Sequence, residues 1–204
     1  MSRVGPREPG IVGLATRRSI ADVIWVANTR HGPGGHWFAR VTVDDGDHDH
    51  LRTAAEAVRY LADHGVDVPD EPPTADDLAG LAAIREMVRA LRDPAEGWTD
   101  AALQLLARAR FGLDGERRIA TVATGWSGFV DDLVPPLLEV VRLRDRLEIC
   151  GNPHCRLVFI DASRNGTRRW CDDAGCSNRA RVQRHRAASR GASASTAAPT
   201  PSPR

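Results

Sequence analysis

Apolar side chains recur every three to four positions along most of the first 148 residues, which is the spacing that places them on one face of an α-helix. The clearest case is residues 49–64, where Leu51, Val58 and Leu61 share a face and Gly65 ends the run. The predicted helices cover residues 17–28, residues 49–64, a segment that Thr74 caps with Asp77 as its partner, a segment that Thr99 opens, and residues 130–147. Pro135-Pro136 marks a kink or a late start in the last of these.

Two shorter stretches lack the helical spacing and are typical of β-structure. Residues 36–43 alternate between apolar and polar side chains, and residues 111–124 contain Asp114-Gly115, a frequent turn dipeptide between two strands. The pattern therefore predicts a mainly α fold with short β-hairpins, of the α+β class.

The two ends of the chain differ in composition from the periodic part. Residues 1–13 are rich in Pro and Gly, and residues 191–204 consist mostly of Ser, Ala, Thr and Pro, which cannot bury a core. With 204 residues the chain is long enough for one ordinary core and a small appended module. The predicted organisation is a flexible arm at 1–13, an α-rich domain at 14–148, a four-cysteine module at 149–190 and a disordered tail at 191–204.

Charge separates the same two regions. Residues 1–149 contain 18 of the 28 basic and 24 of the 27 acidic residues, whereas residues 150–190 contain nine Arg and three acids. The first region therefore has a net charge of −6 and the second +6, which indicates a polyanionic partner for the second region alone. No run of eighteen apolar residues occurs, so we expect no membrane span.

All four cysteines lie in the basic region, as Cys150-x4-Cys155 and Cys171-x4-Cys176. Two short cysteine pairs separated by a hairpin-length segment are typical of a tetrahedral zinc site. Four thiolates fill the coordination sphere and leave no position for water, so we predict one structural Zn²⁺ and no catalytic metal. His154 is an alternative ligand, although its place beside Cys155 favours a bystander.

Disulfides are the competing interpretation of the four cysteines. They need an oxidising compartment, but residues 1–10 are polar, contain Pro6 and Pro9, and lack the apolar segment of a signal peptide. We therefore expect reduced thiols and a cytoplasmic, nucleoid-associated protein.

The residues between and after the cysteine pairs predict the shape of the module. Residues 157–160 favour a strand, Asn165-Gly166 a tight turn, and residues 167–171 a returning strand. A helix-like run begins near Cys176. A knuckle, a hairpin and a helix that carries the last ligand form a treble-clef-like arrangement.

A dense motif runs through this module. It consists of Cys150-x-Asn152-Pro153-x-Cys155, Phe159-x-Asp161-x-Ser163-Arg164-Asn165, Arg169-Trp170-Cys171 and Cys176-x-Asn178-Arg179, followed by a basic helix. The motif resembles the CGNR zinc-finger family of bacterial transcription regulators. The name-giving tetrapeptide is here Cys176-Ser177-Asn178-Arg179, so Ser177 replaces the Gly of the family.

The resemblance implies a DNA-binding regulator with an N-terminal helical domain. Near the start of that domain, Val26-Ala27-Asn28-Thr29 resembles the Val-Asn-Thr signature of family members, with one residue inserted. The helical domain is then expected to sense a small-molecule effector or to form a homodimer. Its scattered Trp25, Trp37, Trp98 and Trp126 are typical core residues, although one or two of them would suit a ligand pocket.

The basic side chains of the module are the candidates for contact with duplex DNA. A helix after Cys176 would place Arg and Gln side chains in the major groove, while Arg residues of the hairpin hold phosphates. The predicted contacts are Arg164, Arg168, Arg169, Arg179, Arg181, Gln183, Arg184 and Arg186, with Arg156 as a further phosphate ligand. A solvated basic face, an interaction module for protein or RNA, and a redox sensor that releases zinc are the alternatives.

No catalytic motif is found in the sequence. Phosphate-binding glycine loops, nucleophile elbows and zinc-protease helices are missing, so we expect a protein that is not an enzyme. Residues 44–50 combine Asp and His, but without the spacing of a known metal site, and they are typical of a solvated turn.

Overall fold

The computed structural model of the chain describes residues 18–32, 48–92, 100–113, 119–182 and 185–186. Several predicted features lie outside the described residues. These are the arm at 1–13, the strand at 36–43, most of the turn at 44–50, Trp37, Trp98, Thr99, Asp114-Gly115, Gln183, Arg184 and the tail at 191–204.

The described chain is mainly α-helical with short strand pairs, which confirms the predicted class. In chain order the elements are α1 (Ile20–Ala27), β1 (Arg30–His31), β2 (His48–Asp49), α2 (Ala54–Asp63), α3 (Ala75–Ala90), α4 (Asp100–Arg108), β3 (Phe111–Leu113), β4 (Ile119–Thr121), α5 (Gly125–Asp132), α6 (Val134–Arg142), β5 (Leu147–Ile149) and β6 (Val158–Ile160). Strand β1 pairs with β2, β3 with β4, and β5 with β6. Among these residues no helix is both long and apolar enough to cross a membrane.

The chain divides into two compact units. The helical unit contains the described residues within Met1–Arg30 and Asp49–Leu147. The finger unit contains those within His31–His48 and Glu148–Arg204. The finger unit is therefore built from two separate segments of the sequence.

Helix α3 is the centre of the helical unit, because α1, α2, α4, α5 and α6 all pack against it. Its apolar face is completely buried at Leu81, Ile84 and Val88, as the helical spacing of these residues predicts. The helix begins at the predicted cap. Thr74 accepts a hydrogen bond from the backbone N–H of Asp77, whose carboxylate accepts one from the Thr74 N–H in return.

A charged network lies at the edge of this core. The Arg85 side chain is 7% exposed, and it donates to Asp49 at 2.7 Å and to Glu86 at 2.8 Å. Burial by itself would raise the pKa of Asp49, but hydrogen bonds from Arg85 and from the Leu51 N–H hold this pKa below its usual range. Asp49 therefore remains ionised and holds β2 to α3.

Two helix boundaries differ from the prediction. The helix expected at residue 49 begins at Ala54, since the preceding residues form β2 and a turn in which the His50 N–H donates to the Thr29 carbonyl. The helix expected at 130–147 is two helices that meet at Leu133. Pro135 and Pro136 lie in the first turn of α6, where their missing N–H groups cost nothing.

In the finger unit, β6 confirms the strand predicted at 157–160, but the prediction of a returning strand at 167–171 is wrong. Strand β6 pairs with β5 instead, and residues 167–170 of the described chain are irregular. Gly166 has a φ of +62°, so the turn predicted at Asn165-Gly166 is present. A five-residue π-helical turn at Asp173–Ser177 leads into the helical residues 178–182.

Candidate metal centre

The four predicted ligands come together in the finger unit. The sulfur atoms of Cys150, Cys155, Cys171 and Cys176 all lie within 4.8 Å of one another. Cys155 Sγ is 3.6 Å from Cys171 Sγ, and Cys171 Sγ is 3.8 Å from Cys176 Sγ. In a tetrahedral site with Zn–S bonds of about 2.3 Å, the sulfur atoms lie about 3.8 Å apart. The cluster therefore has the size and the donor chemistry of one Zn²⁺ bound by four thiolates.

All four cysteines are free thiols, so the structure does not support the disulfide alternative. Three of them are almost completely buried, with exposed fractions of 4% for Cys150, 1% for Cys155 and 5% for Cys176. Phe159 lies in one buried cluster with these three cysteines, and Leu157 and Trp170 pack against that cluster. This apolar cover makes the site a closed structural centre.

The first knuckle is held by Asn152, which is 7% exposed. The Asn152 side-chain oxygen accepts from the His154 N–H at 3.1 Å. The backbone carbonyl of Asn152 accepts from the Cys155 N–H at 2.9 Å. Its amide nitrogen lies 3.6 Å from Cys176 Sγ, to which it donates. One residue thus fixes the turn between Cys150 and Cys155 and supports Cys176, a ligand of the second cysteine pair.

Separate contacts fix the second knuckle. The Asp172 side chain accepts from the Gly175 N–H at 2.5 Å and begins the π-helical turn that contains Cys176. The guanidinium of Arg168 donates to the carbonyls of Trp170 at 2.8 Å and of Cys171 at 2.5 Å. The backbone on both sides of Cys171 is therefore positioned by side chains.

The electrostatics of the cluster explain why it needs a cation. Hydrogen bonds from Cys155 and Cys171 lower the pKa of Cys150, because they stabilise its thiolate. The same contacts with Cys150 raise the pKa of Cys155 and of Cys171, and burial adds to the effect. Of these three thiols, only Cys150 is shifted toward the thiolate in the bare cluster. Four thiolates within 4.8 Å of one another would repel each other, and a divalent ion between them offsets this repulsion.

The N-terminal segment of the finger unit lies against the first knuckle. The Gly32 N–H donates to the Cys155 carbonyl at 3.0 Å. A Cβ atom at Gly32 would lie 2.7 Å from the carbonyl oxygen of His154, closer than real Cβ contacts. Glycine is required here because the two backbones approach closely, and this contact places residue 32 beside a zinc ligand.

The predicted DNA contacts occupy different environments. Arg164, Arg169, Arg181 and Arg186 are exposed, Arg179 is half-buried, and Gln183 and Arg184 lie outside the described residues. Arg168 is half-buried and donates to two backbone carbonyls, so it supports the fold of the finger.

Three residues that position the site were not assigned this role from the sequence. Asn152 holds the first knuckle and donates to Cys176, whereas Asn178 of the name-giving tetrapeptide is exposed. Asp161 is 2% exposed and holds the loop after β6. Gly32 is far from the cysteines in sequence. Asn152 and Asp161 belong to the motif that resembles the CGNR family, and this was the sequence signal for their role. Nothing in the sequence indicates the position of Gly32.

Comparison with known proteins agrees with this geometry. The family model for the CGNR zinc finger matches residues 146–188, which is 43 of the 204 residues. The search of the curated proteins found no match. The matched segment contains all four clustered cysteines, Asn152 and Asp161. Residues 146–188 therefore match the CGNR zinc finger, and their four clustered cysteines form one structural zinc site.

Proposed function

We propose that the chain is a DNA-binding transcription regulator whose zinc finger contacts duplex DNA. The observation that carries this proposal is the distribution of charge in the finger unit. Arg164, Arg169, Arg181 and Arg186 are exposed to solvent. Arginine side chains at such positions are suited to phosphate oxygens and to the acceptor edge of guanine.

The acids of the finger do not offset these exposed arginines. Asp161 is buried, and its carboxylate accepts from the backbone N–H groups of Ser163 and Arg168, each at 2.8 Å. Asp172 accepts from the Gly175 N–H. Residues 150–190 contain nine arginines and three acids, so this region keeps a net charge of +6.

The helical unit supplies the second part of the proposal. Its region of the chain has a net charge of −6, so it does not attract a polyanion. We assign to it the binding of a small effector or the formation of a homodimer, in a cytoplasmic, non-enzymatic bacterial regulator. Effector binding would act on DNA affinity through the finger.

Selection of bound duplexes from a random DNA pool tests the proposal. The zinc-loaded chain is expected to enrich a sequence motif, and a chelator-treated sample is expected to lose it. Affinity should fall with salt at a log-log slope of roughly −0.9 for each phosphate contacted. A zinc-loaded chain that enriches no duplex motif contradicts the proposal.

Matched variants locate the contact. Arg181→Ala/Arg186→Ala removes two exposed charges from the finger and should make the salt slope shallower by about 1.8. Arg142→Ala/Arg144→Ala removes two charges from the helical unit, where these side chains are 70% and 60% exposed, and should leave the slope unchanged. Equal effects of the two variants would mean that total charge, and not the finger surface, determines binding.

The second candidate is an interaction module that binds protein or RNA. Val182 favours it, because this apolar residue is 41% exposed beside Arg181 on the helix after the last ligand. Zinc-dependent binding to RNA or to a protein without a preference for duplex DNA would support this function instead.

A further inference from the structure

The loop that follows β6 combines full exposure with a fixed conformation. Residues 162–167 are all exposed, and none of them belongs to a strand or helix. The loop closes as a tight turn in which the Gly166 N–H donates to the Ser163 carbonyl at 3.3 Å. Gly166 adopts a φ of +62°, which glycine tolerates without strain. Arg164 and Asn165 form the tip of this turn.

One buried carboxylate holds both ends of the loop. Asp161 Oδ1 accepts from the Ser163 N–H at 2.8 Å, and Asp161 Oδ2 accepts from the Arg168 N–H at 2.8 Å. The side chain of Asp161 is only 2% exposed, so water does not compete strongly for these two bonds. The loop is thus held near its start, at Ser163, and directly after its end, at Arg168.

The second end of the loop is also joined to the zinc site. The Arg168 guanidinium donates to the carbonyls of Trp170 and Cys171 and lies over the Phe159 ring, 5.3 Å from its centroid. Since Cys171 is a zinc ligand, the metal centre, Arg168 and Asp161 form one continuous support. The tip with Arg164 is therefore presented on a base that the metal centre helps to fix.

We propose that residues 162–167 are a preorganised base-reading loop, in which Arg164 recognises guanine and Asp161 is its positioning residue. This inference rests on the proposed function, because it names what the same finger surface recognises. Arginine can donate two parallel hydrogen bonds to the O6 and N7 atoms of guanine, a geometry that lysine cannot reproduce. A loop that is already ordered loses little entropy on binding, so the contact contributes to discrimination.

The test compares the motifs that variants select from a random duplex pool, together with their salt slopes. Arg164→Lys keeps the charge and changes only an exposed side chain. It should retain the salt slope and lose the guanine preference at one position by about tenfold or more. Arg144→Lys makes the same change in the helical unit, at a side chain that is 60% exposed, and should select the unaltered motif.

Asp161→Asn tests the positioning role. An amide replaces one acceptor oxygen by a donor, so one of the two clamping bonds is lost. The variant should still bind one zinc per chain, and it should lose guanine preference at the same position as Arg164→Lys. A weaker affinity spread evenly over all positions would show a merely structural effect and would contradict the role of Asp161.

The outcomes separate this inference from the proposed function. If the unaltered chain enriches a motif and Arg164→Lys selects the same motif, the base-reading role of the loop is wrong, while the DNA-binding function stands. A change of the salt slope in Arg164→Ala by about 0.9 with an unchanged motif would make Arg164 a phosphate contact and would also overturn the inference. If the unaltered chain enriches nothing, the proposed function fails and this inference fails with it.

Discussion

The two units of the chain are stabilised in different ways. In the helical unit, completely buried apolar side chains such as Leu81, Ile84 and Leu137 meet around α3. The finger unit has a small core in which the cysteines cluster with Phe159 and Trp170. Apolar burial is a property of the sequence alone, whereas a thiolate cluster needs a bound cation. We therefore expect the first unit to carry its own stability and the second to receive most of its stability from zinc.

Removal of zinc should have the largest effect, because it should unfold the finger unit and leave the helical unit folded. Structural zinc in small modules contributes about 10–16 kcal/mol of apparent binding free energy, so the finger unit should unfold without it. We expect Cys176→Ser to lose zinc and the backbone amides of residues 150–176 to lose protection in hydrogen exchange, while α3 stays protected. The exposed His154 serves as the control, since His154→Ala should keep one zinc per chain. Loss of protection in α3 as well would show that the helical unit depends on the metal.

Truncation of a buried side chain in α3 should have the opposite effect: the helical unit should lose stability, and the finger unit should keep its zinc. Leu81 is completely buried, and Leu81→Ala should destabilise the helical unit by about 2–5 kcal/mol through lost burial and a cavity. Leu138→Ala removes the same atoms at a position that is 44% exposed and should change stability by less than about 0.5 kcal/mol. Thermal unfolding measures both, and zinc content should stay at one per chain. A loss of zinc in Leu81→Ala would contradict the separation of the two units.

A methyl group at Gly32 should affect the finger by a smaller amount. Its Cβ would clash with the His154 carbonyl, and relief by a small backbone shift should cost about 1–3 kcal/mol. We expect faster transfer of zinc from Gly32→Ala to a competing chelator, by roughly 5- to 150-fold. Gly65→Ala is the control, because Gly65 has a φ of +75° but no atom near its Cβ position. That variant should destabilise the helical unit and leave zinc transfer unchanged.

The smallest expected effect concerns the charged network of the helical unit. The pKa of Asp49 is lower in the folded chain than in the unfolded chain, so its ionised form stabilises the fold above pH 4 or so. This contribution is lost as the pH falls through the folded-state pKa. Asp49→Asn should therefore be less stable than the unaltered chain by about 1 kcal/mol at neutral pH.

The difference between Asp49→Asn and the unaltered chain should shrink in acid, below roughly pH 4. Denaturant midpoints measured from neutral pH to about pH 3 check this expectation. Zinc loss in acid affects both proteins alike, so only the difference between them is compared. A difference that stays constant over this range would show that the charge of Asp49 does not stabilise the helical unit.

Local patterns in the sequence were sufficient for several parts of the structure. The apolar face of α3 and its Thr74 cap depend only on residues within a few positions of one another, and both were predicted. The spacing of the two cysteine pairs, together with the family motif, was likewise enough to identify the metal ligands. These features are encoded by neighbours in the chain, so no knowledge of the tertiary structure was needed.

The parts that were missed depend on contacts between distant residues. The start of α2 moves from residue 49 to Ala54 because the Thr29 carbonyl accepts from His50, twenty-one positions along the chain. The strand expected at 167–171 does not form, since β6 already pairs with β5 and Asp161 binds the N–H of Arg168. The spacing of apolar residues, every second position in a strand or every 3.6 positions in a helix, carries no information about such distant partners.

The hydrogen bond from Gly32 to the Cys155 carbonyl also bears on how this finger can be transplanted. The matched segment, residues 146–188, contains every ligand, yet the donor that satisfies Cys155 lies more than one hundred residues earlier in the chain. A chimera that receives only the matched segment would carry the metal site with its first knuckle uncovered on that side. The transferable unit is therefore a pair of segments, and a designer who moves this finger to another protein must also supply a glycine-containing segment that packs against the first knuckle.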